Sequence, residues 1–417
     1  MKVLYFSIVP FSFDDDKIGF KGASWIASLI RVMSSIKDFH IAVSYVNLNN
    51  GDIAIQQRGN ISIYPINIHR NKIQKLKDHT KSVYFDNIVV EESLNIIKKY
   101  QPDIIHVFGS EWNFGLITPY TNIPVVIHMQ GFWPQYRNVN LLKSEFALRT
   151  LKVLPKTPKQ LLSNYRFSSM SKQRANREEN ILRLNKYFFG RTEWDRSIVY
   201  LYNTKACYFH VNEALRDEFV ENKKVWRPHD RSIMKLVSVG TSDMKGMDVI
   251  LKTAQLIKEN FQGSFVWTVF GKKPNLKYLR TITGIVAQDV SVHFVGNGTA
   301  EEIMFALLDA DMYVHAAYAE NSPNSICEAQ MMGMPIISSN AGGIISLFDK
   351  EYNSSMLAPI NDPFYLASKI IQLANDKELC VNLGKLNWNI SRSRNNDENI
   401  RKETLNAYDT IISNHKV

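Results

Sequence analysis

The stretch IMKLVSVGTSDMKGMDVILKTAQLI, at positions 233–257, has the pattern of a buried strand followed by an amphipathic helix. Its first part, IMKLVSV, is mostly apolar, as strands inside parallel sheets are. After Gly246, apolar residues recur at helical spacing. The turn between the two carries Lys245 and Gly246, so a cation and a glycine stand at the start of a helix. This unit predicts an α/β fold.

The same alternation of apolar runs and amphipathic stretches extends along both halves of the chain. In the second half the apolar runs are IMKLVSVG, SFVWTVFG, VSVHFVG, DMYVHAA and MPIISSN. In the first half they are VLYFSIV, FHIAVSYV, DIIHVFG, PVVIHMQG, KYFFG and ACYFHV. We therefore predict two doubly wound, Rossmann-like lobes that face each other across a cleft. Ligands are expected beyond the carboxyl ends of the strands.

The polar segment ENKKVWRPHDRS, which contains Pro228, is the predicted linker between the lobes. We expect the first lobe to span residues 1–224 and the second to span residues 232–395. The remaining residues, 396–417, are predicted to form a C-terminal helix that packs back on the first lobe. A chain of 417 residues accommodates two such domains.

Composition restricts the class of protein. No apolar run approaches the ~20 residues that cross a bilayer. The three cysteines, Cys207, Cys327 and Cys380, are scattered, which argues against a disulfide framework and against a zinc site. The opening KVLYFSIVPFSFDDD lacks a small-residue cleavage site and is better explained as a buried strand than as a signal peptide. We therefore expect a cytoplasmic location.

The formal net charge of +10 predicts an anionic partner. Basic residues concentrate within the segment 152–177 and include Lys156, Lys159, Arg166, Lys172, Arg174 and Arg177. Such a segment is either a solvated helical face or a contact with the inner leaflet of a membrane. Nucleic acid is not expected, because no recognised binding motif accompanies the charge.

A pair of glutamates, Glu320 and Glu328, flanks a helix start in YAENSPNSICEAQMMGMPI, at positions 318–336. Ser322 suits the N-cap, Pro323 the first helical position and Gly333 the C-terminal cap. A helix from 323 to about 332 would place Glu328 roughly 7–8 Å from its start.

The free amides of Asn324 and Ser325 would then favour an anion between two hydroxyl-binding carboxylates. The glutamate spacing alone favours an ordinary surface helix over a functional pair.

Glycines follow other predicted strands. Gly342 and Gly343 follow MPIISSN, and Gly19 and Gly22 follow the first strand. Glycines at such turns allow the backbone to approach a ligand, although a tight turn explains them nearly as well. The chain has neither the GxGxxG fingerprint of dehydrogenases nor the GxxxxGK[ST] order of a Walker motif.

Taken in order, these motifs resemble those of the family 4 retaining glycosyltransferases, which have the two-lobed GT-B fold. The matching positions are Lys245–Gly246, Phe294–Gly296, Glu320 with Glu328–Ala329, Gly333–Pro335 and Gly342–Gly343. The segment 190–219, GRTEWDRSIVYLYNTKACYFHVNEALRDEF, is also similar to a subset of these enzymes from bacterial surface-polysaccharide synthesis. The resemblance is strong in the second lobe and weak across residues 50–100 and 135–180.

The resemblance implies a hexosyltransferase-type enzyme. It would move a sugar from a nucleotide-diphosphate-sugar to a glycan or lipid-linked glycan, with retention of configuration and without a metal or cofactor. The implied catalytic residues are Glu320 on the donor sugar, Lys245 on the departing diphosphate and Gln130 near the reacting sugar. Glu328 would bind the ribose hydroxyls. The other implied donor-binding residues are Gly22, Gly240, Gly246, Gly296, Ser322, Asn324, Ser325, Gly342 and Gly343.

Two positions depart from the family pattern. Thr241 follows Gly240 where relatives carry an arginine, so one phosphate contact is either missing or supplied from elsewhere, with Lys272 and Lys273 as the candidates. Gln130 stands where many relatives have a histidine; it cannot act as a base, but its amide can orient a sugar. His128, on the same strand face, is predicted to be a core residue.

Two other functions remain open at this point. One is a non-hydrolysing sugar-nucleotide epimerase or a glycan phosphorylase, although no pyridoxal lysine site is recognisable. The other is a non-catalytic basic protein that binds a membrane or a nucleic acid. The substitution Glu320→Ala separates the non-catalytic binder from the enzymes, because transfer should collapse while the affinity for a membrane or a nucleic acid stays intact.

Overall fold

The computed structural model describes residues 1–13, 18–20, 24–48, 51–71, 74, 83–139 and 158–415. These residues form two compact units. The first unit comprises the described residues of 1–137, 155–214 and 397–417. The second unit comprises those of 138–154 and 215–396.

A sheet of eight strands forms the centre of the first unit. Its strands are β1 (Lys2–Phe6), β4 (His40–Asn47), β5 (Gln56–Arg58), β6 (Ile61–Asn67), β7 (Ile104–Phe108), β8 (Val125–His128), β9 (Tyr187–Gly190) and β10 (Cys207–His210), and a separate antiparallel pair is β2 (Phe11–Phe13) and β3 (Ile18–Phe20). The order in the sheet is β10-β9-β8-β7-β1-β4-β6-β5. All pairs are parallel except β5 with β6.

Side chains alternate between the two faces of this sheet, as the pleat of a strand requires. The helices of this part of the chain are α1 (Ser24–Ser34), α2 (Asp86–Tyr100), α3 (Pro158–Leu184) and α4 (Glu193–Tyr202). Val3 and Tyr5 of β1 belong to the same apolar cluster as residues of α1. Leu4 and Phe6 belong to the cluster that contains residues of α2 and α3. Both faces of the sheet are therefore covered by helices.

The second unit has a wholly parallel sheet of six strands. They are β11 (Ile233–Val239), β12 (Ser264–Phe270), β13 (Val292–Gly296), β14 (Met312–His315), β15 (Ile336–Ser339) and β16 (Leu357–Ala358), in the order β13-β12-β11-β14-β15-β16. Its helices are α5 (Asp217–Val220), α6 (Met247–Asn260), α7 (Leu276–Thr283), α8 (Ala300–Asp309), α9 (Asn324–Met331), α10 (Lys350–Met356), α11 (Pro363–Ala374) and α12 (Lys377–Arg394).

The strand order of the second unit reverses between β11 and β14. The chain moves from β11 outward to β13 and then returns to β14 on the other side of β11. In open α/β sheets, ligands bind at such a switch point, beyond the carboxyl ends of the two strands. The residues after Val239 and His315 are therefore the first place to look for a site.

The segment predicted as a linker packs within the second unit. Leu215, Phe219 and Trp226 are buried in the apolar core of that unit. The indole Nε1 of Trp226 donates a hydrogen bond to the carbonyl oxygen of Ala310 at 2.7 Å. Although the sequence prediction ended the first lobe at residue 224, the chain joins the second unit from Leu215 onward.

The last helix, α13 (Asp397–His415), belongs to the first unit. Arg31 pairs with Asp397 at 2.7 Å, and the hydroxyl of Tyr408 lies 2.6 Å from Nδ1 of His106. Ile400 and Ile411 are fully buried. Among the helices of the described residues, none combines the length and the apolar character that crossing a bilayer demands.

Candidate active site

The turn after β11 places a lysine beside the end of β14. It consists of Gly240, a short 3-10 turn over Asp243–Lys245, and Gly246 in the left-handed region at φ +69°. A Cβ atom at Gly246 would overlap the carbonyl oxygen of Ala316, the residue that follows β14. Only glycine allows this close approach. The approach brings Lys245 to the switch point.

Lys245 forms an ion pair with Glu320 there. Glu320 lies in the loop between β14 and α9, and its Oε1 is 3.3 Å from Nε2 of His315, the last residue of β14. The Nδ1 of His315 is 3.2 Å from the hydroxyl of buried Tyr313. Two of the three predicted catalytic residues are thus in contact. Sequence reasoning missed His315, although its place at a strand end was a usable signal.

The ion pair determines the charge of the site. Burial raises the pKa of Glu320, but Lys245 and His315 lower it more strongly, and the pKa falls to about 2. Burial lowers the pKa of His315, with a further contribution from Lys245, although Glu320 opposes the change. At neutral pH the site therefore contains a carboxylate and an ammonium group beside a neutral imidazole.

The other predicted glutamate, Glu328, is held by an arginine that the sequence analysis did not assign a role. Nε and Nη2 of Arg216 donate to the two carboxylate oxygens of Glu328 at 2.7 and 2.8 Å. Only 4% of the Glu328 side chain is exposed. Burial raises the pKa of Glu328, although Arg216 opposes the change. This two-pronged contact fixes the orientation of the carboxylate.

The helix that carries Glu328 begins one residue later than predicted. Its first residue is Asn324, and Pro323, not Ser322, occupies the N-cap position without a side-chain hydrogen bond. The difference arises because Pro323 has extended backbone, at ψ 121°. Ser325 bonds to the hydroxyl of Tyr313. Gly333 follows the helix in the left-handed region, at φ +74°.

The remaining predicted glycines of the second unit also follow its strands. Gly343 donates its N–H to the carbonyl oxygen of Glu320 at 3.3 Å, so the loop after β15 lies against the loop of Glu320. Gly342 precedes it, at φ +58°. Gly296 ends β13, and a Cβ there would lie 3.8 Å from Cε of Lys273.

An open pocket of about 270 Å³ adjoins the turn after β11. It is lined by Thr241, Ser242, Asp243, Met247, Lys272, Lys273, Pro274, Asn275, Tyr278 and Leu279. The hydroxyl of Thr241 donates to the carbonyl oxygen of Lys272. The pocket thus brings both lysines to the position where the family pattern has an arginine. That they replace its phosphate contact stays a prediction.

The third predicted catalytic residue, Gln130, lies in the first unit, after β8. His128, at the end of that strand, is 2% exposed and lies 3.1 Å from His106, so it is a core residue as predicted. Gly22 lies outside the described residues. Within the described ranges, no three His, Cys, Asp or Glu side chains converge as metal ligands would.

The basic segment 152–177 is only partly described. Lys156 lies outside the described residues, and the structure does not describe the side chain of Lys159. Lys172 is exposed, whereas Arg177 is buried and pairs with Asp86 at 2.9 Å. The inclusion of Arg177 in an exposed basic face was therefore wrong. Its positive charge is paired with Asp86 inside the first unit.

Residues 221–387 match the sequence model of the family described as glycosyl transferases group 1. This range contains Lys245, Glu320, Glu328 and the pocket. The second unit is a group 1 glycosyltransferase domain. The predicted family is thereby confirmed.

Curated relatives include bacterial polysaccharide enzymes. The amylovoran biosynthesis glycosyltransferase AmsK of Erwinia amylovora is 27% identical over 148 residues, which cover 34% of this chain and 36% of the relative. The N,N'-diacetylbacillosaminyl-diphospho-undecaprenol alpha-1,3-N-acetylgalactosaminyltransferase of Campylobacter jejuni is 30% identical over 126 residues, which cover 30% of this chain and 32% of the relative. The chain thus matches about a third of the length of these relatives.

Solved structures match along the whole chain. A sucrose-phosphate synthase from Thermosynechococcus elongatus has a TM-score of 0.71 at 14% identity, covering 99% of each chain. HepE from Anabaena, in complex with UDP and glucose, has a TM-score of 0.64 at 12% identity, covering 98% of this chain and 100% of that one. At such identities the likeness shows the fold alone, and it confirms the GT-B fold.

Proposed function

We propose that the protein is a glycosyltransferase that moves a sugar from a nucleotide-diphosphate-sugar to a glycan or lipid-linked glycan, with retention of anomeric configuration. The main support is the contact between Lys245 and Glu320 at the switch point of a group 1 glycosyltransferase domain. The Campylobacter relative is named for a diphospho-undecaprenol acceptor, which supports the lipid-linked alternative.

The charges of the site suit such a donor. As the sugar–phosphate bond breaks, negative charge develops on the diphosphate, and a preorganised cation lowers the barrier. We assign this role to Lys245, with Lys272 and Lys273 as further contacts. Because these lysines would supply the positive charge that the diphosphate requires, we propose that transfer needs no metal ion.

The two glutamates bind different parts of the donor. Glu320, kept ionised by Lys245, accepts hydrogen bonds from hydroxyls of the donor sugar. Glu328, oriented by Arg216, accepts them from the ribose hydroxyls. Each carboxylate oxygen has lone pairs for more than one donor. Both glutamates can therefore accept hydrogen bonds from hydroxyls while they stay paired with Lys245 and Arg216.

A donor screen tests the proposal. The purified protein is incubated with UDP-, GDP- and ADP-sugars and with octyl glycosides as acceptors, with and without EDTA. We expect transfer from at least one donor, unchanged by EDTA, and NMR of the product should show the anomeric configuration of the donor. An inverted product would contradict retention, and the absence of binding to every donor would contradict the proposed function.

We also propose that the protein works at the cytoplasmic surface of a membrane. The support is α3, where Lys172 is exposed and the side chain of Phe167 is 53% exposed. Sedimentation with phosphatidylglycerol vesicles should exceed that with phosphatidylcholine vesicles. Lys172→Glu should weaken it, whereas Lys385→Glu, at an exposed lysine of the second unit, should not. Equal sedimentation with both vesicles would contradict this proposal.

A further inference from the structure

A second polar cluster lies in the first unit, beyond the carboxyl ends of β7 and β8. These neighbouring strands are parallel, with Phe108 opposite His128. The residues that follow them therefore lie side by side. Glu111 follows β7, and Gln130 follows β8. The sequence motifs include Gln130 but not Glu111.

Glu111 is held in place through its carboxylate by a backbone N–H and through its backbone carbonyl by a buried arginine. Its Oε1 accepts the N–H of Gly131 at 2.7 Å. The backbone carbonyl of Glu111 accepts Nη2 of Arg177 at 2.9 Å, and Arg177 is itself fixed by Asp86. The loop after β7 is therefore anchored to α3 and to α2. Such anchoring holds the side chain in one place.

Two glycines make room for this carboxylate. Gly109 is in the left-handed region at φ +90°, and a Cβ there would lie 2.5 Å from Oε2 of Glu111. A Cβ at Gly131 would lie 2.5 Å from Oε1. Side chains at either position would displace Glu111. Glycine at both positions therefore leaves the space that the carboxylate of Glu111 occupies.

One oxygen of this carboxylate has no partner. Oε2 of Glu111 and Nε2 of Gln130 are both shielded from solvent, and neither forms a hydrogen bond with any described residue. A Cβ at Gly109 would lie 2.5 Å from the first atom and 3.5 Å from the second, so both atoms face the same small region. Burying an unpaired acceptor next to an unpaired donor is costly unless a ligand pairs them.

The neighbouring carboxylate of Glu178 differs in this respect. Its Oε1 accepts the hydroxyl of Ser110, and its Oε2 accepts the N–H of Trp133 at 2.7 Å. Because both of its oxygens are occupied, Glu178 holds the two loops together. Oε2 of Glu111 and Nε2 of Gln130, by contrast, have no such partner among the described residues.

A hydroxyl group fits this pair, because it donates one hydrogen bond and accepts others. We propose that Glu111 and Gln130 together bind one hydroxyl of the sugar acceptor, which donates to Oε2 of Glu111 and accepts from Nε2 of Gln130. The proposal rests on the proposed glycosyltransferase function and adds a residue that recognises the acceptor.

The first test uses Glu111→Gln. The variant keeps the shape of the side chain and can still accept the N–H of Gly131, but it presents an NH2 group in place of Oε2. With octyl glycosides as acceptors, we expect kcat/KM for the acceptor to fall about 10- to 100-fold, the range for a hydrogen bond to a charged group. The KM for the donor, the hydrolysis of the donor without acceptor and the melting temperature should not change. Glu179→Gln, a substitution of the same kind on α3, is the control and should behave as the wild type.

A second test exchanges the two groups. Glu111→Gln combined with Gln130→Glu restores one acceptor and one donor at the site, so it should recover part of the activity that either single variant loses. Acceptors that lack one hydroxyl each identify the bound group. Removal of that hydroxyl should weaken the wild type but have little further effect on Glu111→Gln.

Several outcomes would overturn the inference. They are an unchanged acceptor kcat/KM in Glu111→Gln, a loss confined to the KM of the donor, no recovery in the exchanged pair, and a wild-type protein that binds a donor but no octyl glycoside. A wild-type protein that binds none of the UDP-, GDP- and ADP-sugars contradicts the proposed function instead. The two failures are therefore distinguishable.

Discussion

Glu320 of the second unit and Glu111 of the first each follow a parallel strand, and their electrostatic surroundings differ. In the second unit, Glu320 follows β14 and contacts the ammonium group of Lys245. In the first unit, the donors to Glu111 and Glu178 among the described residues are the hydroxyl of Ser110 and the N–H groups of Trp133 and Gly131. The first carboxylate pairs with a cation, whereas these donors to the other two are neutral, although the charge of Arg191 acts on Glu111 and that of Arg177 acts on Glu178.

The pKa values follow this difference. Against the effect of burial, Lys245 and His315 lower the pKa of Glu320 to about 2. Burial raises the pKa of Glu111, and burial together with the charge of Glu111 raises the pKa of Glu178. A site with fixed charges suits a nucleotide diphosphate, whereas a site with neutral donors and one open acceptor suits a hydroxyl. The same α/β architecture thus carries different polar clusters in its two units, because the residues after the strands differ.

The largest effect is expected from Glu320→Ala. Removal of the carboxylate leaves Lys245 and His315 without their shared partner and removes a contact to the donor sugar. We expect kcat to fall about 100- to 1000-fold, the range for loss of a preorganised catalytic contact. The measurement is the initial rate of transfer at saturating donor. Glu301→Ala, in the exposed first turn of α8, is the control and should keep the wild-type rate.

The opposite result would contradict the comparison between the two units. A Glu320→Ala variant with near wild-type kcat would mean that the charged cluster of the second unit is structural only. Unchanged vesicle binding in the same variant is expected in either case.

A smaller effect is expected from loss of the arginine that orients Glu328. Arg216→Ala leaves a buried carboxylate without its cation, so Glu328 should take up a proton and bind ribose hydroxyls poorly. We expect the KM of the donor to rise about 10- to 100-fold, with a smaller change in kcat. Arg216→Lys keeps the charge without the two-pronged geometry and should fall between Arg216→Ala and the wild type. Equal donor KM values in all three proteins would show that Arg216 does not orient Glu328.

The third prediction concerns stability and pH. The raised pKa of Glu178 means that the folded state holds this proton more strongly than the unfolded chain, where the pKa is near 4.5. Its contribution to stability is therefore lost as pH rises above 4.5, with a slope of up to about 1.4 kcal/mol per pH unit for one proton. The pH dependence of the Glu320 contribution has the opposite sign, because this contribution is present above pH 4.5 and is lost as pH falls toward 2.

Glu178→Gln tests this sign directly. The amide can accept from Trp133 and donate to Ser110, so the fold should persist. The free energy of unfolding of the variant, relative to the wild type, should increase from pH 5 to pH 8 in urea titrations. Glu179→Gln should show no such trend. A variant whose stability follows the wild type at every pH would contradict the raised pKa of Glu178.

The sequence predicted the fold well where strands are apolar and long. Both sheets contain the predicted apolar runs, because buried parallel strands need them on both faces. It did not predict β5, whose residues Gln56–Arg58 are polar and exposed, or β6, which contains Pro65. It also missed β16, because Leu357–Ala358 is too short to show a period.

Candidate site residues could be named from the sequence where they belong to a sequence motif. Lys245 and Glu320 lie far apart in sequence, yet both follow predicted strands, and the resemblance named both. Arg216 could not be assigned to Glu328, because 112 positions separate them and no local pattern links them. Glu111 was missed for a similar reason, since its partners are backbone groups of a neighbouring strand end.

The central claim is that the second unit binds a nucleotide-sugar through Glu328 and Lys245, and thermal unfolding with added ligand tests it most directly. At a ligand concentration 100 times the dissociation constant, a bound donor stabilises the folded state by about 2.7 kcal/mol. We predict that at least one of the UDP-, GDP- and ADP-sugars raises the melting temperature of the wild type, and that Glu328→Ala reduces the increase while Glu179→Gln does not. No increase with any of these sugars, or the same increase in Glu328→Ala, would contradict the account.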